Sequence, residues 1–409
     1  MPLKQCLQGN SQIFLNSPTL TNYLVGAAIG ISSVRAFFGS GDPLRGVTDG
    51  PMWLFVILLN IWAIVSLAWT PAYDQAMAFT QVGWQYAALF IVFSPFLISD
   101  AKALPSVWFA TMVAGCVISI LIITSNNFSF NMGRLSIKYT SDSYSNVLAL
   151  GELGGLLIIS SVIFRPAQQG RSYKLLRIVA FFVGATIAIY SGSRGQILFA
   201  LAVVALVRPI SQGKGLRNVI ASMAFLAFTA ASMGVLALLL LPEASMLDRW
   251  QPENLEGGVF VRFLNASDLV VAFLQTPYAW IIGLGFNAFA HVSAAVKEPY
   301  THNVSLDVLC ELGIPAFAVL CSIYLLVWKS ATRLIQTTAA DSEARRAVAV
   351  IIAIALYEFL LNHKQGFFWS TGPMFFAFLL INKLAAEQGG SLNAPSASER
   401  LVKVDSLDQ

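Results

Sequence analysis

HNVSLDVLCELGIPAFAVLCSIYLLV, residues 302–327, opens on a histidine and an asparagine and then stays almost wholly apolar. An α-helix needs about 20 consecutive apolar residues to cross a hydrocarbon core of about 30 Å. This stretch therefore reads as a transmembrane helix with polar groups at its mouth. Runs of the same kind recur along the chain. Candidate spans fall near 19–38, 51–69, 78–98, 105–123, 146–164, 176–191, 195–208, 217–241, 303–328, 347–362 and 367–385. Of 409 residues, 56% are hydrophobic and 11% charged, and the mean hydropathy is +0.69, far more apolar than a soluble core requires. The expected fold is an all-α polytopic membrane protein of about 11 (10–12) transmembrane helices.

Lys and Arg crowd residues 165–177, 208–217, 329–346 and the stretch after Lys383. By the positive-inside rule these are cytoplasmic, which places 125–145, 191–194, 242–301 and 363–366 on the opposite face. Residues 242–301 form one large outer loop, too short for a typical independent domain. Within it, VFVRFLNASDLVVAFLQ (259–275) carries Phe260, Phe263, Leu264, Val270, Val271 and Leu274 near helical spacing, which predicts an amphipathic helix on the membrane surface. Residues 1–385 are expected to form a single transmembrane domain. Residues 386–409, rich in Ser, Glu and Ala, read as a disordered cytoplasmic tail. Cys6, Cys116, Cys310 and Cys321 are scattered and suggest neither a disulfide framework nor a metal site. The N-terminus lacks the basic, apolar and small-residue pattern of a removable signal peptide.

Polar residues at the outer ends of the spans are few, so each can be weighed. Arg194 lies in YSGSRGQILFA (190–200), a Gly-rich turn where backbone N–H groups and one guanidinium can face an anion; the alternative is an arginine reaching lipid phosphates at a hairpin tip. Arg262 is open to the same two readings. His302 opens a helix, where the dipole favours the neutral ring and leaves it able to act as a base; the alternative is a ring satisfied by a loop carbonyl. Glu152 and Glu358 lie inside apolar runs, where a carboxylate is costly and is usually functional or paired. Gly151, Gly154 and Gly155 suit close helix packing. For His363 and Lys364 the default is a lipid head-group contact. The chain has no DxD, Walker, HExxH or GxSxG sequence, so a nucleotide-sugar enzyme or an ATPase is not expected. Neither the internal symmetry nor the interrupted spans of a transporter stand out.

Three stretches, in order, resemble the O-antigen ligase and polymerase superfamily of bacterial envelope enzymes. They are SGSRGQILFA (191–200), Arg262 followed by Pro277 and the GLG of 283–285, and HNVSLDVLCELGIPAF (302–317). The similar core covers roughly residues 140–330. Ala266 stands where the family often has an aromatic residue, and Pro277 and Gly283 are three residues further apart than in the family pattern. The resemblance implies a metal-independent glycosyltransferase of the bacterial inner membrane, without cofactor and without nucleic-acid partners. It would move a glycan from undecaprenyl diphosphate to an acceptor hydroxyl at the periplasmic face. Arg194 and Arg262 would hold the diphosphate and His302 would take the acceptor's proton, supported by Ser193, Asn303 and Glu311. A ligase would use lipid A-core as acceptor and a polymerase a growing O-antigen or exopolysaccharide chain; the single compact loop favours the ligase. A lipid-linked-glycan flippase is the reading from a different class.

Overall fold

A computed structural model describes residues 50–87, 103–124, 128–131, 134–137, 147–166, 170–213, 220–224, 252–292, 301–339 and 342–392, with a few isolated residues besides. These are mostly helical. In chain order they form α1 (Met52–Val65) with a 3-10 turn (Ser66–Ala68), α2 (Tyr73–Ala87), α3 (Leu104–Thr124), a hairpin of β1 (Phe128–Asn131) and β2 (Arg134–Ile137), α4 (Leu148–Ile163), α5 (Arg171–Tyr190) and α6 (Arg194–Ser211). There follow α7 (Pro252–Gln275), short helices α8 (Ala279–Ile282) and α9 (Phe289–Val292), then α10 (Val304–Thr337), α11 (Glu343–Lys364) and α12 (Gly372–Leu392).

Four helices among the described residues are long and apolar enough to cross a membrane: α3, α5, α6 and α10. That fits a mostly helical membrane protein, but not the expected count of about eleven. The apolar runs at 51–69 and 146–164 fold into shorter helices. Residues 367–385 begin with a 3-10 turn, Phe368–Thr371, before α12. The runs expected near 19–38 and 217–241 lie outside the described residues. Two further differences concern the loops. The antiparallel β-hairpin, pairing Phe128 with Ile137 and Asn131 with Arg134, was read from sequence only as part of an outer segment. The last helix runs on to Leu392, past the expected start of the tail at 386.

Small residues set the packing of the central helices. A Cβ on Gly154 would lie 2.5 Å from the Gly184 carbonyl oxygen and one on Gly184 2.8 Å from that of Gly154, so α4 and α5 touch backbone to backbone. At the basic end of the bundle, arginines cap helix C-termini. Arg177 donates to the Ser161 carbonyl (2.7 Å) and Arg345 to Ile210 (3.1 Å), in the last turns of α4 and α6 where the helix dipole is negative, and Arg346 donates to Arg165 (2.7 Å) just past α4.

The quoted stretch does not form one straight helix. Gly313 has φ 89° and ψ 171°, which breaks α10 into Val304–Leu312 and Ile314–Thr337. Ser305 Oγ lies 3.3 Å from the Tyr324 hydroxyl, nineteen residues on. A straight helix would put them about 28 Å apart, so the chain doubles back at Gly313. The carbonyls freed at the break are met from outside. Leu284 N–H donates to Cys310 (2.9 Å) and Gly285 N–H to Glu311 (2.9 Å), while the Trp62 indole donates to Leu312 (3.0 Å). The expectation of an uninterrupted span over 303–328 is thereby corrected. Gly283 (φ 79°) and Gly313 allow two backbones to interlock where a side chain would collide, and Gly285 (φ 99°) does the same against the Thr70 backbone.

Candidate functional site

Three elements meet at residues 363–365, where α11 ends. The first is the tip between α5 and α6. Gly192, at φ 64°, makes the tight turn, and Ser191 Oγ accepts the Ser193 N–H (3.3 Å) while donating to the Ala188 carbonyl (2.7 Å). The tip presses on α4 at Gly151, where a Cβ would lie 2.9 Å from that of Ser193. Ser193 Oγ is buried there without a hydrogen-bond partner among the described residues. Arg194 then starts α6, and Gly195 leaves room for Lys364: a Cβ on Gly195 would be 2.4 Å from Lys364 Nζ. Gln196 Nε2 closes the junction with a hydrogen bond to Gln365 Oε1 (3.0 Å).

The second element is a set of cations. Lys364 is the last residue of α11, beyond the apolar run 347–362. Burial first, and then Arg262, Arg134 and Arg194, push its ammonium down to about 8. Arg262 also acts on Arg194. Cations from α7, the β-hairpin and α6 thus all act on Lys364 at the end of α11. Of these, the sequence pointed to Arg194 and Arg262. Arg134 was hidden in an outer segment of unassigned structure, and Lys364 was assigned to lipid head groups. The signal that could have found them is that both are cations on the face where the positive-inside rule leaves few.

The third element is the turn into α10. His302 does not begin that helix. It has φ 67° and precedes the N-cap, Asn303, whose side-chain oxygen accepts the N–H groups of Ser305 (3.1 Å) and Leu306 (3.2 Å). Asn303 therefore acts on His302 through the backbone, as a cap. Thr301 holds the other side: its hydroxyl donates to the Asp307 carboxylate and accepts the Asn303 N–H (3.1 Å). A left-handed conformation costs a non-glycine residue about 1–3 kcal/mol, and here the pinned flanks impose it on the histidine at the apex. His302 Nδ1 is buried.

One helical turn on, Ser305 reaches α11. Its hydroxyl lies 2.6 Å from His363 Nε2, and His363 Nδ1 lies 2.7 Å from the Phe359 carbonyl. A carbonyl only accepts, so Nδ1 carries the proton, Nε2 accepts, and the serine hydroxyl donates to it. Burial lowers the His363 pKa and so favours this neutral form, opposed in part by the Phe359 contact. The sequence reading of His363 as a head-group contact missed this pair, because its partner lies 58 residues away. Such a hydroxyl held by an oriented imidazole can pass a proton on.

Glu311 lies at the far end of the half-helix, buried, with its two carboxylate oxygens accepting the N–H groups of Asn287 (2.9 Å) and Phe289 (3.1 Å). It fixes the loop after the GLG run and so braces the break. Glu358 is buried in α11, beside Tyr357, whose hydroxyl fills the space left by Gly155 of α4. Among the described residues no group of three or more His, Cys, Asp or Glu side chains is placed to hold a metal. No protein-family model matches the chain, and no curated protein matches it.

Proposed function

We propose that the protein is a metal-independent membrane glycosyltransferase that transfers a glycan from a lipid diphosphate to an acceptor hydroxyl. The observation that carries this reading is at the end of α11, where Lys364 packs against Gly195 beside Arg194 and lies within the electrostatic influence of Arg194, Arg262 and Arg134, and where the preceding residue, His363, meets Ser305 of the turn that follows His302. Like charges held together in a partly buried place repel, and a ligand with several negative charges relieves that repulsion. A diphosphate leaving group gains charge as its bond to the sugar breaks, so cations fixed in advance stabilise the transition state more than the ground state. The acceptor oxygen attacks the anomeric carbon, the bond from that carbon to the diphosphate oxygen breaks, and the acceptor's proton passes to His302. Asn303 and Thr301 keep that histidine in place, Ser193 lies at the anion-facing turn, and Glu311 braces the break behind it.

In this reading the chain lies in the bacterial inner membrane. The β-hairpin, α7 and the 191–194 and 363–366 turns belong to the periplasmic side. Phe263, Leu264, Val271 and Leu274 are exposed on α7, apolar surface that suits contact with lipid, while Leu269 and Phe273 pack inward. The donor is an undecaprenyl diphosphate-linked glycan. With lipid A-core as acceptor the enzyme is an O-antigen ligase; a polymerase extending O antigen or exopolysaccharide would use the same donor site. The broken helix α10 favours one further reading, a lipid-linked-glycan flippase, because interrupted helices line transport sites.

Purified protein incubated with a lipid-diphosphate glycan and either lipid A-core or an oligosaccharide acceptor separates the three. A new glycosidic bond on one acceptor identifies ligase or polymerase. Movement of intact donor across a vesicle membrane with no new bond sinks the transferase reading.

A further inference from the structure

A second, chemically distinct place lies at the basic end of the helices, away from the candidate site. Near the end of α10, α12 and Gly50 ahead of α1 line a cavity of about 200 Å³. Lys329, Ser330, Arg333 and Asn382 supply its polar lining, with no carboxylate among the lining residues. Lys329 and Arg333 stand four residues apart on one helix, where like charges repel. Neither is in an ion pair among the described residues.

The neutral groups are arranged to add a donor. Ser330 Oγ donates to Asn382 Oδ1 (3.0 Å), which leaves Nδ2 as the outward-facing end of the amide. The nearest atom to a Cβ placed on Gly50 would be that Nδ2, at 3.9 Å, so the amide N–H faces space that glycine leaves open. The cavity thus presents an ammonium, a guanidinium and an amide N–H together. Its depth relative to the membrane follows from the neighbouring turn: Leu325 is 62% and Trp328 73% exposed. Apolar surface reaches up to Lys329, and a tryptophan at such a boundary marks the lipid–water interface. The volume is below the ~300–1,000 Å³ of sites for drug-sized molecules, which suits one phosphate group and excludes a glycan.

We propose that this cavity binds the phosphate head group of an anionic phospholipid, with Lys329 and Arg333 on the phosphate oxygens and Asn382 Nδ2 donating a hydrogen bond. The site is independent of the transferase reading and holds whichever reaction the other end performs. The test is native mass spectrometry of the full chain in neutral detergent, titrated with phosphatidylglycerol, phosphatidylcholine or inorganic phosphate. Phosphatidylglycerol should bind more tightly than phosphatidylcholine. Lys329→Gln and Arg333→Gln should each weaken it about fivefold and the double variant about 25-fold, the scale for basic residues facing anionic lipid. Both side chains are exposed, so the variants are expected to fold, and an unchanged unfolding midpoint verifies it. Asn382→Asp, which puts a carboxylate into the cavity, should weaken binding further. Equal affinity for the two lipids, or unchanged phosphatidylglycerol binding in the double variant, overturns the proposal. Inorganic phosphate binding as tightly as the lipid, and lost in the same variants, overturns the head-group assignment and gives the site to a soluble anion.

Discussion

Replacing Gly313 by alanine tests the geometry that brings the candidate site together. The backbone there, φ 89° and ψ 171°, belongs to a region that essentially only glycine occupies, and forcing a side chain into it costs about 1–3 kcal/mol. The added Cβ would also lie 2.5 Å from the Ile281 carbonyl oxygen and 2.8 Å from its carbon, both main chain, so no flexible side chain can yield. Making room means separating the break from the GLG loop. That weakens the Leu284 and Gly285 N–H bonds to Cys310 and Glu311 and the Trp62 bond to Leu312. At about 0.5–1.5 kcal/mol for each bond, the whole substitution should destabilise by about 3–7 kcal/mol. That is a large share of a typical folding free energy of about 5–15 kcal/mol. The assay is equilibrium unfolding in mild detergent, with Gly170→Ala as its control. Gly170 has φ −64° and nothing within 4 Å of a Cβ, so alanine there should change stability by less than about 0.5 kcal/mol. If Gly313→Ala unfolds at the same denaturant concentration as Gly170→Ala, the doubling-back of α10 is wrong.

Four further outcomes bear on the site. Donor affinity should fall as pH rises through about 8, because Lys364 then loses the proton that gives it charge, whereas the arginines keep theirs; Lys364→Arg should flatten that limb in a binding titration. Arg194→Lys and Arg262→Lys should each weaken donor binding about tenfold or more while leaving the protein inserted, since a point charge replaces a fork that grips two phosphate oxygens; wild-type affinity in either would remove it from the anion site. His302→Gly should raise stability, by relieving the φ of 67°, and still lower turnover by about 10²–10⁴-fold; turnover within a few fold of wild type would exclude the base role. Ser305→Ala removes the hydrogen-bond partner of His363 Nε2, and Ser305→Thr, which keeps the hydroxyl, should recover most of the lost rate; equal rates for the two would leave the pair a packing contact only.

Hydrophobic length and charge are properties of the chain itself. Long apolar runs divided by basic loops therefore dictated helices that cross a membrane, whatever packs against them. The same local logic marked residues 259–275 as a helix and 302–327 as helical with a polar mouth. It also marked SGSR, Arg262 and the HN pair as chemically unusual. Interaction across the fold decided the rest. Gly313 reads as an ordinary small residue in an apolar run, and only a loop thirty residues earlier, with the Trp62 indole, supplies the partners that let the helix break there. His302 acquired its left-handed backbone from Thr301 and Asp307, and His363 acquired its role from Ser305. Lys364 and Arg134 enter the candidate site because folding puts Arg134, Arg194 and Arg262, from distant parts of the chain, within electrostatic reach of the end of α11. Hydrogen bonds act over about 3 Å and charges over about a Debye length of 8–10 Å, so both are set by distance in space, which a linear pattern does not contain.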